Sequence, residues 1–150
     1  MTFQSYLIST IETANMEKSI LDELSQNFDN NDISPANYRA AERSLQILTE
    51  NMIGKFKKIL KHYGCPVIPN RAYDALEILV SVGILSDEDE RFYKKVIGFR
   101  NALVHDYMDF DRNLVKAILV SKDYLKVYDF LLQEPKLSDL MIKRLENYSL

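Results

Sequence analysis

An all-α fold, an antiparallel up-and-down helical bundle, is what this sequence predicts, and three observations carry the prediction. Apolar residues recur at spacings of three and four through long stretches. Helix-start and helix-stop residues punctuate those stretches at short intervals, which makes successive helices antiparallel neighbours. The one apolar run that would suit a strand, residues 78–85, has no strand partner elsewhere in the chain. The 150 residues, 47% apolar and 27% charged, fit one domain spanning 1–150. A chain of this size buries roughly 68 to 70% of its unfolded surface and needs no disulfide to hold a core.

The first helix is read from Phe3, Leu7, Ile11, Ala14 and Leu21, with acids between them, and ends near Gln26. Ser34 and Pro35 open the second, because a serine oxygen can cap an orphan amide and proline suits a first turn. Tyr38, Ala41, Leu45, Leu48, Met52, Phe56, Ile59 and Tyr63 carry that helix to Gly64, a length of about 29 residues, or ~43 Å. Tyr73, Leu76 and Val80 mark a short third helix stopped at Gly83. Ser86 and Asp89 have the spacing of a capping box and open the fourth. Asp109 or Asp111 opens the fifth, with Leu114, Ile118, Leu125 and Leu132 expected inward and Pro135 ending it. A short helix within residues 137–148 closes the chain.

Composition excludes several classes of protein. One cysteine, Cys65, forms no internal disulfide, and His62 and His105 cannot furnish a four-ligand zinc site without carboxylates, so neither a metal nor a cofactor is expected. No apolar run approaches the roughly 20 residues that span a bilayer, and the first 15 residues lack the basic segment of a secretory signal, so a cytoplasmic protein is expected. Net charge is −3, yet residues 51–73 carry Lys55, Lys57, Lys58, Lys61 and Arg71 without an acid. That strip suits phosphates, or is a solvated helix face whose lysines complement the helix dipole.

The fourth helix carries the chemistry. At 100° per residue with Phe92 at zero, Val96, Phe99 and Leu103 fall within about 40° and define the expected core stripe. Tyr93, Ile97 and Val104 widen the apolar arc to about 140°, and Arg100 and Tyr107 land inside it. An arc that wide exceeds what one core requires and predicts a homodimer with this helix near the twofold axis. A guanidinium among apolar neighbours must pair, reach solvent or meet a ligand. Asn101 and His105, four residues apart, share the opposite, polar face, where the amide can orient the imidazole.

Residues 99–107 read FRNALVHDY, which closely resembles the R-x4-H-x-Y motif of the HEPN superfamily in the form carried by the HepT toxins. The resemblance extends to AERSLQILTENMIGKF in the second helix and YDALEILVSVGIL in the third. It implies a helical bundle that pairs as a homodimer and a metal-independent endoribonuclease that acts on RNA. It further implies that Arg100 and His105 are catalytic and that Asn101 is the polar residue that follows the arginine. Tyr107 would be the tyrosine to which an MNT-type nucleotidyltransferase antitoxin transfers AMP in a type VII-like toxin–antitoxin pair. The alternative is a non-catalytic module of the same fold that binds nucleotide or docks a nucleotidyltransferase; an intact Arg100 and His105 favours the enzyme.

Metal-free cleavage of RNA at the 2′-OH needs a base, an acid and a cation for the phosphorane. One chain has a single histidine here, about 140° around the helix from Arg100, whereas a twofold pair supplies two of each. Other groups carry less chemistry. His62, near Lys58 and Lys61, reads as a dipole partner, and Cys65 as a loop or core thiol. Glu42, Arg43 and Glu50 read as helix-face ion partners, with Arg43 able to line the cleft. Tyr38, Tyr63, Tyr93 and Tyr124 suit cores and dimer seams.

Overall fold

The computed structural model describes residues 2–27, 34–105 and 112–149, and among them there are seven α-helices and no strand. These are α1 (Phe3–Gln26), α2 (Pro35–His62), α3 (Ala72–Ser81), α4 (Asp87–His105), α5 (Arg112–Ser121), α6 (Tyr124–Leu132) and α7 (Asp139–Glu146). The expected all-α class holds. The chain divides into two compact units: Met1–Met52 with Arg100–Gln133, and Ile53–Phe99 with Glu134–Leu150.

Several helix ends are set by local chemistry that the sequence displays. Ser34 Oγ accepts the amide of Asn37 at 3.2 Å, and Ser138 Oγ accepts that of Met141 at 3.2 Å, each satisfying a donor that the first turn would leave orphaned. Gly64 and Gly83 take φ of +80° and +86° just past α2 and α3. There the amides of Cys65 and Ile84 reach back to Leu60 and Leu79 at 2.9 and 3.0 Å, closing both helices with a Schellman turn.

In the first unit α1 packs against α6 and α5. Leu7, Ala14, Leu21 and Leu24 of α1 are buried, as are Val115, Leu119, Tyr124, Val127, Phe130 and Leu131. Asn15, Lys18, Asp22 and Ser25, spaced three, four and three apart, add a polar seam beside that apolar face. Tyr128 donates to Asn15 Oδ1 at 2.6 Å, Tyr124 to Asp22 Oδ1 at 2.6 Å, and Ser25 Oγ to the carbonyl of Leu119 at 2.7 Å. Burial alone would raise the Asp22 carboxyl, but the hydrogen bonds from Lys18 and Tyr124 outweigh it and hold the group below its ordinary range. Burial and that same carboxylate push the Tyr124 phenol well up.

The second unit is built on Phe56, Ile59, Leu60, Ala75, Leu76, Ile78, Leu79, Tyr93, Ile97 and Leu145, all buried. Phe56 meets Tyr93 edge-to-face with centroids 5.5 Å apart. Cys65 is a buried thiol whose Sγ lies 3.2 Å from the carbonyl of Val67. The expected basic strip is not uniform. Lys57 donates to the carbonyl of Asn70 at 2.7 Å, and Lys55 is only 1% exposed, so that desolvation pulls its ammonium down to about 8.

Two expectations are corrected. The expected fifth helix is two helices, α5 and α6, because Lys122 adopts a left-handed φ of +58° between them. The break also resets the buried face: Val115 and Leu119 lie inside, Leu114 is 43% exposed, and Ile118, Leu125 and Leu132 are half-buried. Adjacent residues differ by 100° on a helix, so two overlapping apolar stripes leave the buried one undecided by spacing alone. The aspartates expected to open the fifth helix, Asp109 and Asp111, lie outside the described residues. No helix among the described residues is long and apolar enough to cross a membrane.

The second correction concerns α4. Its deeply buried residues are Tyr93, 4% exposed, and Ile97, fully enclosed, whereas Phe92, Val96, Phe99 and Leu103 are half-buried. The buried line therefore runs near 120° rather than zero on the helical wheel, within about 40° of Arg100.

Candidate functional site at the end of α4

The helix that presents the motif is secured at its start. Ser86 Oγ accepts the amide of Asp89, and Asp89 Oδ2 accepts that of Ser86, each at 3.0 Å, which completes the expected capping box. Asp87, Glu88, Asp89 and Glu90 fill the first turn and His105 the last, so acids lie at the positive end of the helix dipole and the imidazole at the negative end. The helix runs from Asp87 to His105 and carries Arg100, Asn101 and His105 in its last two turns.

Arg100 is half-buried. Its side chain is 20% exposed, and its Nε is sealed from solvent with no hydrogen-bond partner among the described residues. The facing group is Glu50 of α2, in the same unit, whose Oε1 lies 3.6 Å from Nε. That separation is an ion pair but too long for a hydrogen bond. A sequestered, unsatisfied N–H costs about 1 to 3 kcal/mol, a cost seldom retained without a use. The guanidinium thus faces Glu50 along its Nε edge.

His105 is exposed and ends α4; Asn101 is half-buried one turn before it. No hydrogen bond joins the two among the described residues, so the expected orientation of the imidazole by the amide is not made in this state. Arg100 and His105 diverge by about 140° around the helix. One copy of the chain therefore does not converge both on one phosphate. Tyr107 lies outside the described residues.

Of the remaining candidates, Arg43 Nη1 reaches Gln46 Oε1 at 3.4 Å on the exposed face of α2. His62 sits at the C-terminal end of α2, edge-on to Tyr63 with centroids 4.8 Å apart. Glu50, read from sequence only as an ion partner, is the site residue whose particular role was missed. Its partner is 50 positions away, and no local spacing links them. Arg112, also unmarked in the sequence reading, lies over the Tyr38 ring at 4.9 Å. Among the described residues, no group of three or more His, Cys, Asp and Glu side chains could hold a metal ion.

The HepT-like family model, described as ribonuclease HepT-like, matches residues 13–140. Among solved structures, the chain is similar to the tri-AMPylated Shewanella oneidensis HEPN toxin in complex with MNT antitoxin. The TM-score is 0.71 and the identity 19%, over 88% of this chain and 96% of that one. A toxin–antitoxin crystal structure with AMP-PNP gives a TM-score of 0.71 at 17% identity, covering 94% of this chain and 99% of that one. YutE, a cytosolic protein of unknown function from Bacillus subtilis, gives 0.58 at 17% identity, covering 92% and 94%. At these identities the likeness speaks for the fold. A search of curated protein sequences finds no match.

Proposed function

The chain belongs to the ribonuclease HepT-like family, and from that premise we propose that it is the toxin of a type VII-like toxin–antitoxin pair. In this reading it is an endoribonuclease that cuts RNA without a metal ion, in a cleft shared by two copies. It is silenced when an MNT-type nucleotidyltransferase antitoxin transfers AMP to Tyr107. The observation that carries the reading is the state of Arg100: a half-buried guanidinium whose sealed Nε faces Glu50, five residues before an exposed histidine.

The chemistry follows from the side chains. One imidazole removes the proton of a ribose 2′-OH as its oxygen bonds to the adjacent phosphorus. The 5′-oxygen leaves with a proton from the second imidazole, giving a 2′,3′-cyclic phosphate and a free 5′-OH. The guanidinium stays charged throughout, and its planar fork matches two phosphate oxygens as charge builds on the phosphorane. Both imidazoles are His105, one from each copy, because a single chain holds only one histidine in the motif. Asn101 supports the imidazole once substrate is bound.

The half-buried apolar line Phe92, Val96, Phe99 and Leu103 supports pairing along α4, since a second copy would finish burying it. Light scattering at micromolar concentration is expected to give twice the 17.5 kDa chain mass. A monomer that cleaves RNA at full rate would overturn the shared site.

A further inference from the structure

We propose that Glu50 is a positioning residue for RNA cleavage: it claims the Nε edge of Arg100, so that the Nη1/Nη2 edge alone is presented to the scissile phosphate. The inference rests on the ribonuclease reading above and adds a residue on another helix. Two independent observations meet here. Arg100 Nε is sealed from solvent and unsatisfied among the described residues, and the one anionic oxygen paired with it there is Glu50 Oε1 at 3.6 Å.

A guanidinium offers five N–H donors on two usable edges, and a phosphate can engage either. If both edges were open, the bound phosphate would settle in two orientations, only one of which suits in-line attack. A carboxylate on the Nε side removes that choice. Glu50 is 46% exposed and therefore able to move, and closing by less than 1 Å brings its oxygen to the 2.7–2.9 Å of a charge-assisted hydrogen bond. Phosphate binding on the far edge favours that closure, because it fixes the guanidinium plane. Glu50 touches neither the 2′-oxygen nor the leaving group, and it acts only through Arg100.

A kinetic comparison tests this. Glu50→Ala is expected to lower kcat by about 10- to 100-fold with KM changed less than about threefold, because misorientation costs rate more than it costs contact. Glu50→Gln keeps an oxygen acceptor at the same reach and is expected to recover most of the lost rate. Arg100→Lys has no Nε edge, so adding Glu50→Ala to it is expected to change kcat less than about threefold. A wild-type kcat in Glu50→Ala overturns the proposal, as does the same loss in the Arg100→Lys background or a thermal midpoint that falls in step with kcat. The Nε–H signal of Arg100 in a nitrogen-15 NMR spectrum, assigned by its disappearance in Arg100→Lys, gives a readout that needs no activity. With inorganic phosphate bound, it is expected to exchange more slowly in the wild type and in Glu50→Gln than in Glu50→Ala, and equal exchange in all three refutes the pairing. A wild-type chain that cuts no RNA defeats the ribonuclease reading, and the NMR arm still decides the pairing.

Discussion

Alanine at Arg100 or at His105 is expected to lower RNA cleavage by about a thousandfold or more while leaving the fold intact. General acid–base catalysis contributes about 10²- to 10⁴-fold. Loss of one oxyanion-stabilising donor costs about 10²- to 10³-fold. In a twofold site each substitution removes two groups, one from each copy. His105 is exposed, so its loss opens no cavity. Arg100 fills more space, but its Nε makes no hydrogen bond among the described residues that the fold would miss, and the Glu50 side chain beside it is already 46% exposed. Initial rates on a fluorogenic RNA, with circular dichroism on the same samples, check both halves of the expectation. Wild-type cleavage by His105→Ala would remove the imidazole from the mechanism.

Tyr107→Phe is expected to keep most of the nuclease activity and to escape silencing altogether, a change from complete inhibition to none. Tyr107 stands seven positions after Arg100 and two after His105 in the sequence. Transfer of AMP joins the phenol oxygen to the α-phosphorus of ATP and releases pyrophosphate and the phenol proton. The product carries a phosphodiester anion and a bulky base. The anion would occupy the Nη edge of Arg100, and the base would keep RNA from His105. Mass spectrometry after incubation with the cognate nucleotidyltransferase and ATP is the check. An adduct on a tyrosine far from Arg100, or none on Tyr107, would defeat this account of regulation.

What could be read from the sequence was what is decided locally. The Ser34 cap, the Ser86–Asp89 box and the glycine turns at Gly64 and Gly83 depend on residues at most five apart, and each appears in the structure as expected. The break at Lys122 was not legible, because a left-handed lysine leaves no mark in composition or spacing. The buried line of α4 was misplaced for a related reason. Phe92, Tyr93, Val96, Ile97, Phe99, Leu103 and Val104 cover so much of the helix that periodicity gives its apolar side but not the centre of that side. Lys55 shows the same limit from the other direction, since a lysine among lysines reads as solvated and here is enclosed. The motif residues Arg100, Asn101 and His105 stood out through their resemblance to a family pattern. The Glu50–Arg100 pair did not, because the two groups are 50 positions apart and only the folded unit that holds both brings them to 3.6 Å.

The central claim is that RNA is cut at the 2′-OH by side chains alone, and the ends of the cleaved strands test it most directly. The chain, purified free of its antitoxin, is incubated with a defined RNA in excess EDTA, and the fragments are weighed by mass spectrometry. The account predicts undiminished cleavage, with a 2′,3′-cyclic phosphate on each upstream fragment and a 5′-OH on each downstream one. Cleavage that stops with EDTA, returns with magnesium and leaves 3′-OH and 5′-phosphate ends would contradict it.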